Sequence, residues 1–353
     1  MAGMTAIRLG GLVAALLFAL GSDVLPAGLA AAAPTAQDTL RVRLGVLGAT
    51  VDAGFYIALD QGYFREQGLD VDMTPFDSAA RMVAPLGAGQ LDAGGGAHSA
   101  GLFNAVARGI EIKLVADKGS SPPGYGPQAL LFRRDLVDSG QLRSPGDLRG
   151  LRVAISAHGA TTETSLARWL RPYGLTIDDV DTVELGFGEH ASALAGRSIE
   201  AAVALEPFIT RILDEGIATI YQRNDELDPG AQLAEVIYGG QFMREQPEAA
   251  RRFMVAYVRA LRYYNDAFMG GDTAKRQAAV AALIRHTAVK DPALYDRMVM
   301  PGLDPNGRMH VASIREDQEF WLSRGLQQTR LNVDDVVDHS YVDAAVQTLG
   351  PYR

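Results

Sequence analysis

Polar and acidic side chains recur where predicted strands are followed by predicted helices. In the first half of the chain these positions are Thr50, Asp52, Phe55, Asp77, Ser78, Gly96, His98 and Ser99. In the second half they are His158, Thr161, Thr162, Glu163, His190, Glu206 and Phe208. Helix N-terminal amides and hydroxyl groups bind polar or anionic groups, and glycine lets a ligand approach the backbone closely. We therefore predict that these residues bind a small solute.

Several of these positions have a structural alternative. Ser78 and Thr161 could serve only as helix N-caps. Asp52 and Asp77 could be solvated acids in loops, and Glu206 could simply begin a helix. The sequence alone leaves both interpretations open at each of these positions.

Three of the six histidines, His98, His158 and His190, fall at predicted strand ends. Three histidines could hold a metal ion, but their ring nitrogens would have to converge within a few ångströms, and no spacing here indicates that. We predict hydrogen bonding to a ligand, or protonation toward an anion, and no metal site.

The charges at these turns suit two kinds of ligand group. Glu163, Glu189 and Glu206 favour N–H donors or positive charge, whereas the hydroxyls and helix N-termini favour a sulfonate or carboxylate. A zwitterion such as an amino-sulfonate, or an aminopyrimidine, would use both. This assignment of the ligand is a hypothesis.

Enzyme motifs do not account for these residues. The chain has no G-x-S-x-G, H-E-x-x-H or P-loop motif. It has no cysteine, which excludes thiol catalysis and cysteine-ligated metal sites. We predict a binding protein without catalytic residues and without a cofactor.

The segments that must position the site alternate between strand and helix patterns. RVRLGVLG (41–48) and LDVDMTPF (69–76) alternate apolar and polar residues, which predicts strands. The helical stretch between them is interrupted at Gly62 and Gly68, so this region predicts a parallel βαβ unit. The alternation continues to the breaker cluster GSSPPGYGPQ (119–128) and resumes after it.

This organisation predicts an α/β fold with two lobes joined twice. The predicted parts are lobe I at 34–127 and 236–353, lobe II at 128–235, and a hinge near 118–129 and 233–241. A long amphipathic helix and further helices follow Gly240. Ligands bind beyond the carboxyl ends of strands in such sheets, so we expect the site between the lobes.

The N-terminus predicts export. One arginine precedes the apolar run 10–20, and AGLAAAAP offers a cleavage site near Ala32, so residues 1–33 are interpreted as a cleavable signal peptide. A buried N-terminal helix is the alternative, against which Pro26 and Gly28 argue. Because no cysteine is available for a lipid anchor, we predict a periplasmic protein that is not lipid-anchored.

The charge distribution limits the partners. The chain of 353 residues has a formal net charge of -9, and its acidic residues are scattered. We therefore expect no binding to nucleic acid through phosphate neutralisation, and no basic tract indicates attachment to an anionic membrane. We expect a monomer that binds a small molecule.

Four motifs carry a resemblance to a known family. They are GFYIALDQGYFREQGLDVDM, GQLDAGGGAHSAGLFNAVARGIEIKLVAD, LRGLRVAISAHGATTETSL and AAVALEPF. In order and spacing the mature chain resembles solute-binding proteins of bacterial ABC importers of the nitrate, sulfonate and taurine type, whose superfamily includes thiamine-pyrimidine binding proteins. The resemblance implies a type II periplasmic-binding-protein fold, with two Rossmann-like lobes of mixed, mostly parallel sheets, a hinge and extra C-terminal helices. It also implies that the strand-to-helix turns line the ligand pocket, and that the partners are an ABC permease and ATPase.

Two other classes of function stay open. Some enzymes of menaquinone and pyrimidine synthesis resemble this fold, although the pyrimidine synthases use a cysteine-rich motif that is absent here. A ligand-reporting partner of a sensor kinase would have the same pocket. Turnover of a bound compound would favour the enzyme, and neighbouring genes would distinguish a sensor from a transporter.

Overall fold

The structure, a computed structural model, describes residues 39–352, so the predicted signal peptide lies outside the described residues. The strands are β1 Leu40–Val46, β2 Leu69–Pro75, β3 Ala93–Gly96, β4 Ile112–Ser120, β5 Gln128–Arg133, β6 Arg152–Ile155, β7 Asp181–Glu184, β8 Ala201–Leu205, β9 Ala218–Arg223 and β10 Gln232–Gly239. The helices are α1 Ala53–Asp60, α2 Tyr63–Glu66, α3 Val83–Gly87, α4 Ala100–Ala107, α5 Arg134–Asp138, α6 Thr161–Leu170, α7 His190–Ala195, α8 Phe208–Asp214, α9 Asn224–Leu227, α10 Gly240–Glu245, α11 Pro247–Phe268, α12 Thr273–His286, α13 Pro292–Tyr295, α14 Val311–Ser323 and α15 Ser340–Leu349.

The strands form two five-stranded sheets of the same design. The first sheet has the order β2-β1-β3-β10-β4, and the second sheet has the order β7-β6-β8-β5-β9. In the first sheet four strands point one way, and β10 runs antiparallel between β3 and β4. In the second sheet β5 has the same relation to β8 and β9. The predicted α/β fold with mixed, mostly parallel sheets is confirmed.

The first βαβ unit forms as its sequence indicates. In β1 the side chains of Val42 and Leu44 are fully buried, and β1 pairs in parallel with β2. Between the strands, α1 and α2 are separated by Gly62, which has a φ of 74°. Gly68, with a φ of 68°, ends the second helix. Glycine adopts this left-handed backbone without a Cβ clash, so the chain can stop a helix and enter a strand within two residues.

The chain passes between the sheets twice. It leaves the first sheet after β4 and enters the second sheet at β5 through residues 121–127, and it returns from β9 to β10 through α9 and residues 228–231. The strand that follows each crossing, β5 or β10, is the antiparallel strand of its new sheet. The first crossing lies within the predicted hinge segment 118–129, whereas the second ends just before the predicted segment 233–241, which β10 and the start of α10 occupy. The lobe boundaries themselves stay a prediction.

Helices after residue 240 complete the core beside the first sheet. The long helix α11 buries Phe253, Tyr257 and Leu261 against α1, and on the other side α14 buries Ile314 and Trp321. Helix α6 packs instead against the second sheet. Among residues 39–352, no helix has the length and apolar character needed to span a membrane.

Candidate binding site

A cavity lies where the carboxyl ends of strands from both sheets meet. Leu47 and Ala97 directly follow β1 and β3 of the first sheet, while Ser156 follows β6 and Leu205 ends β8 of the second sheet. The remaining lining residues are Val51, Ser78, Ala79, Gln128, Thr161, Thr162, Phe187, Leu233 and Ala234. The site therefore occupies the position where α/β sheets of this kind bind ligands.

The cavity is nearly closed in this structure. It offers about 30 Å³ for the centres of water molecules, and one water needs roughly 10–15 Å³ on this measure. Backbone contacts join the two sides: the Thr50 N–H donates to Glu206 O at 3.1 Å, and the Ala100 N–H donates to Gly159 O at 2.8 Å. A solute larger than about two waters therefore needs the two sides to move apart.

The cavity wall carries no charged side chain. Its polar groups are the hydroxyls of Ser78, Ser156, Thr161 and Thr162 and the amide of Gln128, and its other lining residues are apolar. Thr161 and Thr162 form the first turn of α6, so the amide end of this helix dipole also faces the site. The arrangement can hydrogen-bond a polar group and cover an apolar one, without supplying a counter-charge.

A wider groove opens at one edge of the cavity. Its volume is about 260 Å³, and Ser78 and Ser156 line both spaces. The groove also has three carboxylates, from Asp77, Glu184 and Glu189. Its cationic groups are the guanidinium of Arg81 and, when protonated, the imidazole of His158. The mouth of the site is therefore more acidic than its interior.

Asp52 organises the loop between β1 and α1. Its carboxylate accepts backbone N–H groups from Leu47 at 2.9 Å and Ala49 at 3.1 Å, and it pairs with Lys118 Nζ at 2.8 Å. All of Asp52 is buried, so it is neither a solvated loop acid nor a lining residue of the cavity. It holds in place a loop whose Leu47 and Val51 do line the cavity.

Phe55 and Gly96 also support the site from behind. Phe55 is fully buried, and its ring packs 5.0 Å from that of Tyr257. A Cβ on Gly96 would lie 2.4 Å from the Cβ of Ala79, so glycine allows this close approach. Neither residue lines the cavity, and the structure assigns both to packing.

His98 is enclosed by carboxylates rather than exposed to a ligand. Its ring nitrogens lie 2.8 Å from Glu235 and 3.1 Å from Asp317, and all three side chains are buried. Burial alone would lower the pKa of His98, but the two carboxylates outweigh burial and raise that pKa to about 10. The next residue, Ser99, caps α4 by accepting the Leu102 N–H at 3.2 Å.

Near its N-terminus, α6 carries the hydroxyl of Thr162, which lines the cavity, and the carboxylate of Glu163, which is buried in the protein. Thr162 Oγ1 accepts the Ser156 N–H at 3.1 Å, which ties the end of β6 to the helix. Glu163 is buried and accepts the Gly159 N–H at 2.7 Å, and it also contacts His158 Nδ1 at 3.2 Å. His158 is 49% exposed and lies in the mouth groove.

Glu206 is likewise satisfied inside the protein. Its carboxylate accepts the Thr210 N–H at 3.0 Å and pairs with Arg223 at 3.1 Å. Burial raises the pKa of Glu206, and Arg223 opposes that shift. The Thr50 hydroxyl donates to the Glu206 carbonyl at 3.1 Å, so Thr50 joins the two sides instead of facing the cavity. The ring of Phe208 stacks on that of Phe187 with the ring centroids 6.2 Å apart, and of these two rings only that of Phe187 lines the cavity.

The histidines do not converge on a common site. His190 is buried against Phe187, with a ring distance of 5.6 Å, and burial lowers its pKa to about 4. Within residues 39–352 there is no group of three or more histidine, cysteine, aspartate or glutamate side chains placed to hold a metal ion. The three-histidine alternative is therefore wrong.

The structure brings together only part of the predicted set. Ser78, Thr161 and Thr162 line the cavity, and Asp77 and His158 line the mouth groove with Ser78. The other predicted residues lie in neither space: Thr50, Asp52, Phe55, Gly96, His98, Ser99, Glu163, His190, Glu206 and Phe208. The predicted charge contribution of Glu163 and Glu206 is corrected, because both carboxylates are bound by protein donors.

Apolar and small lining residues were missed by reasoning from polar side chains. They are Leu47, Val51, Ala79, Ala97, Phe187, Leu205, Leu233 and Ala234, and the polar residues Gln128 and Ser156 were missed with them. The usable signal was position: Leu47, Ala97 and Ser156 are each the first residue after a strand. The predicted first strand, 41–48, runs past Leu47, so finding that residue also requires the strand end that the structure shows.

The fold is that of solved periplasmic binding proteins. The periplasmic nitrate-binding protein NrtA from Synechocystis PCC 6803 matches with a TM-score of 0.74 at 14% identity, covering 88% of this chain and 89% of that one. The alkanesulfonate-binding protein SsuA from Xanthomonas axonopodis pv. citri, solved with MOPS, matches with a TM-score of 0.67 at 17% identity, covering 86% and 99%. At these identities the likeness establishes the fold, as the resemblance implied.

The chain belongs to the NMT1/THI5-like family, whose profile matches residues 49–267. A binding-protein relative from Brucella abortus (strain 2308) is 26% identical over 227 residues, which are 63% of this chain and 66% of the relative. The 4-amino-5-hydroxymethyl-2-methylpyrimidine phosphate synthase of Aspergillus parasiticus is 26% identical over 229 residues, covering 60% and 62%. The chain therefore spans slightly less than two thirds of the length of these curated relatives.

Proposed function

We propose that this protein is the extracytoplasmic substrate-binding component of an ABC importer, which binds a small organic solute between two lobes and delivers it to a permease. The observation that carries the proposal is the cavity at the strand ends, because residues from both sheets line it. Membership of the family and the fold shared with binding proteins support the same role.

The proposed mechanism is closure around the solute. The lobes, 34–127 with 236–353 and 128–235, are joined by two crossings, and the cavity has room for only about two waters. Solute would enter when the lobes separate, and its contacts with both walls would favour the closed arrangement. The apparent affinity then includes the free energy needed to populate the closed state.

The chemistry of the wall restricts the solute. We propose that its uncharged body fills the cavity and hydrogen-bonds to Ser156, Thr161 and Thr162, while N–H donors reach Asp77 and Glu189 in the mouth. An aminopyrimidine or amino-sulfonate meets this description, with a sulfonate facing the start of α6. Plain inorganic anions meet it less well, because the mouth groove is acidic.

The cellular setting is part of the same proposal. The signal peptide at 1–33 would export the chain to the periplasm, where it acts as a soluble monomer without a lipid anchor. Its partners would be the permease and ATPase subunits of the importer. Such a component needs no cofactor and no covalent step.

Native mass spectrometry of the exported chain, purified without refolding, tests the proposal, because a closed binding protein retains its solute. We expect a retained small molecule that rebinds after removal. An Ala97→Leu variant should lose it, because the side chain of Ala97 lines the cavity. Ala84→Leu, an exposed helical position, is the matched control and should retain it.

Two results would contradict the proposal. Chemical turnover of the retained molecule would assign the chain to the enzyme class, to which the Aspergillus parasiticus relative belongs by name. A retained molecule that Ala97→Leu binds as well as the unchanged chain would show that the central cavity is not the site.

A further inference from the structure

A second groove lies between helices α6 and α14. Its volume is about 320 Å³, within the range of roughly 300–1,000 Å³ for small-molecule sites. Helix α6 packs against the second sheet through Leu166 and Trp169, whereas α14 packs beside the first sheet through Ile314 and Trp321. No residue of this groove lines the central cavity. The groove is therefore a separate space that both halves of the protein build.

The surface of the groove is largely apolar. Ala167 on α6, Leu175 and Ile177 after it, and Phe320 on α14 are lining residues. Phe320 is partly buried and packs against the cores of both halves. The hydroxyl of Thr176 adds a polar group at one side. Such a surface suits an alkyl or aryl body rather than an ion alone.

The hydroxyls of Thr164 and Ser323 and three arginines complete the lining, which contains no carboxylate. Arg168 is already paired with Asp317 at 2.8 Å, and Arg324 is paired with Asp178. Arg171 is exposed and forms no ion pair with any residue of the segment 39–352. Carboxylates just outside the lining therefore neutralise Arg168 and Arg324, and the guanidinium of Arg171 is left available to an anion.

We propose that this groove binds an amphipathic anion, a carboxylate carrying a short alkyl or aryl body. The body covers Ala167, Leu175 and Phe320, and the carboxylate accepts hydrogen bonds from Arg171. Because α6 and α14 belong to different halves, the bound anion favours the closed arrangement of these two helices. The groove is then an effector site that acts on closure without touching the transported solute.

Calorimetry with octanoate on the full mature chain tests this inference. We expect one octanoate per chain with millimolar affinity, which is ordinary for so small a ligand. Octylammonium has the same body with the opposite charge, and acetate has the charge without the body; both should bind much more weakly. Arg171→Gln should weaken octanoate binding by about threefold, and Arg171→Glu by about tenfold or more.

Two further variants make the result specific. Arg108→Gln changes another exposed arginine outside the groove and should leave octanoate affinity unchanged. Ala97→Leu blocks the central cavity and should also leave it unchanged. Thermal unfolding checks that each variant is folded, which is expected for Arg171 because its side chain makes no described ion pair.

The inference is overturned by any of four outcomes. These are no octanoate binding up to about 10 mM, equal binding of octylammonium, unchanged affinity in Arg171→Glu, or loss of binding in Ala97→Leu. The last outcome would place octanoate in the central cavity. It would leave the proposed importer function intact while removing the second site.

Discussion

Nδ1 of His98 lies 2.8 Å from Oε1 of Glu235, and both side chains are completely buried. The other ring nitrogen contacts Asp317, which in turn pairs with Arg168 of α6 at 2.8 Å. The residues directly preceding His98 and Glu235 line the central cavity, while the first turn of α6 lines its opposite wall. A chain of ionic contacts, buried except at Arg168, therefore connects the two walls of the site.

Replacing His98 by glutamine should strongly destabilise the protein. The variant leaves the buried carboxylates of Glu235 and Asp317 without the imidazolium, and removing one partner of a buried ion pair costs about 3–5 kcal/mol. Urea unfolding at neutral pH measures the loss. His310→Gln, an exposed histidine, should change stability little; a loss below about 1 kcal/mol for His98→Gln would contradict a buried imidazolium.

The pH dependence of the free energy of unfolding should report the proton that His98 binds in the folded protein. The pKa of His98 is raised to about 10 in the folded protein, above about 6.5 in the unfolded chain. The stabilisation is therefore complete below about pH 6.5 and is lost as the pH rises toward 10. The stability difference between the unchanged chain and His98→Gln should shrink from pH 6.5 to 9, as measured by urea unfolding; a constant difference would contradict the raised pKa.

The pair of Asp52 and Lys118 should behave as one unit. Both side chains are fully buried, and Lys118→Met leaves the Asp52 carboxylate uncompensated, so we expect a loss of about 3–5 kcal/mol. The double variant Lys118→Met, Asp52→Asn should recover part of that loss, because no isolated charge remains. Denaturant unfolding of both single variants and the double variant gives the coupling.

The result for this pair also tests the role of Asp52 in the site. Asp52→Asn weakens the anchoring of the loop that carries Leu47 and Val51, so retention of solute should fall along with stability. If the double variant lost as much stability as the sum of the two single variants, the pair would not be coupled. Unchanged solute retention in a folded Asp52→Asn protein would show that the loop does not depend on this carboxylate.

Removing Arg168 should favour separation of the two halves. Its guanidinium contacts Asp317 on α14 and, at 3.2 Å, Asp228 in the second crossing. Losing contacts worth about 1–2 kcal/mol in total shifts the equilibrium between the closed and the separated arrangement by roughly five- to thirtyfold. Arg168→Gln should therefore show a larger radius of gyration in solution scattering without solute.

A second arginine provides the control for this measurement. Arg149 pairs with Asp179, and both residues lie in the half that contains the second sheet. Arg149→Gln should leave the radius of gyration unchanged. If both variants or neither variant expanded, the contact between Arg168 and α14 would not control the separation.

Much of the fold could be predicted because its signals are local. The alternation in β1 and β2, and the glycines that end α1 and α2, specify a βαβ unit within the single stretch 40–75. The position of β10 between β3 and β4 could not be predicted in this way. It depends on pairing between segments far apart in sequence, and no local pattern encodes the partner of a strand.

The candidate site was predicted less well, because residue type does not reveal burial. Asp52 and Glu206 have the chemistry of ligand contacts, but distant partners, Lys118 and Arg223, neutralise them inside the protein. Ala97, in contrast, has no polar or charged group in its side chain, and it lines the cavity because of its position after β3. In this fold, location relative to a strand end was more informative than polarity.

The placement of β10 also favours an order of assembly during synthesis of the chain. Every strand of the second sheet comes from the continuous stretch 128–223, whereas β4 has no partner within its sheet until residues 232–239 have emerged. The half that is inserted in the sequence can thus acquire its structure first, and the half that contains the N-terminal strands is completed last. Until residues 232–239 have emerged, β4 presents an unpaired edge. The nascent chain is therefore most vulnerable to misassociation between the synthesis of β4 and the synthesis of β10.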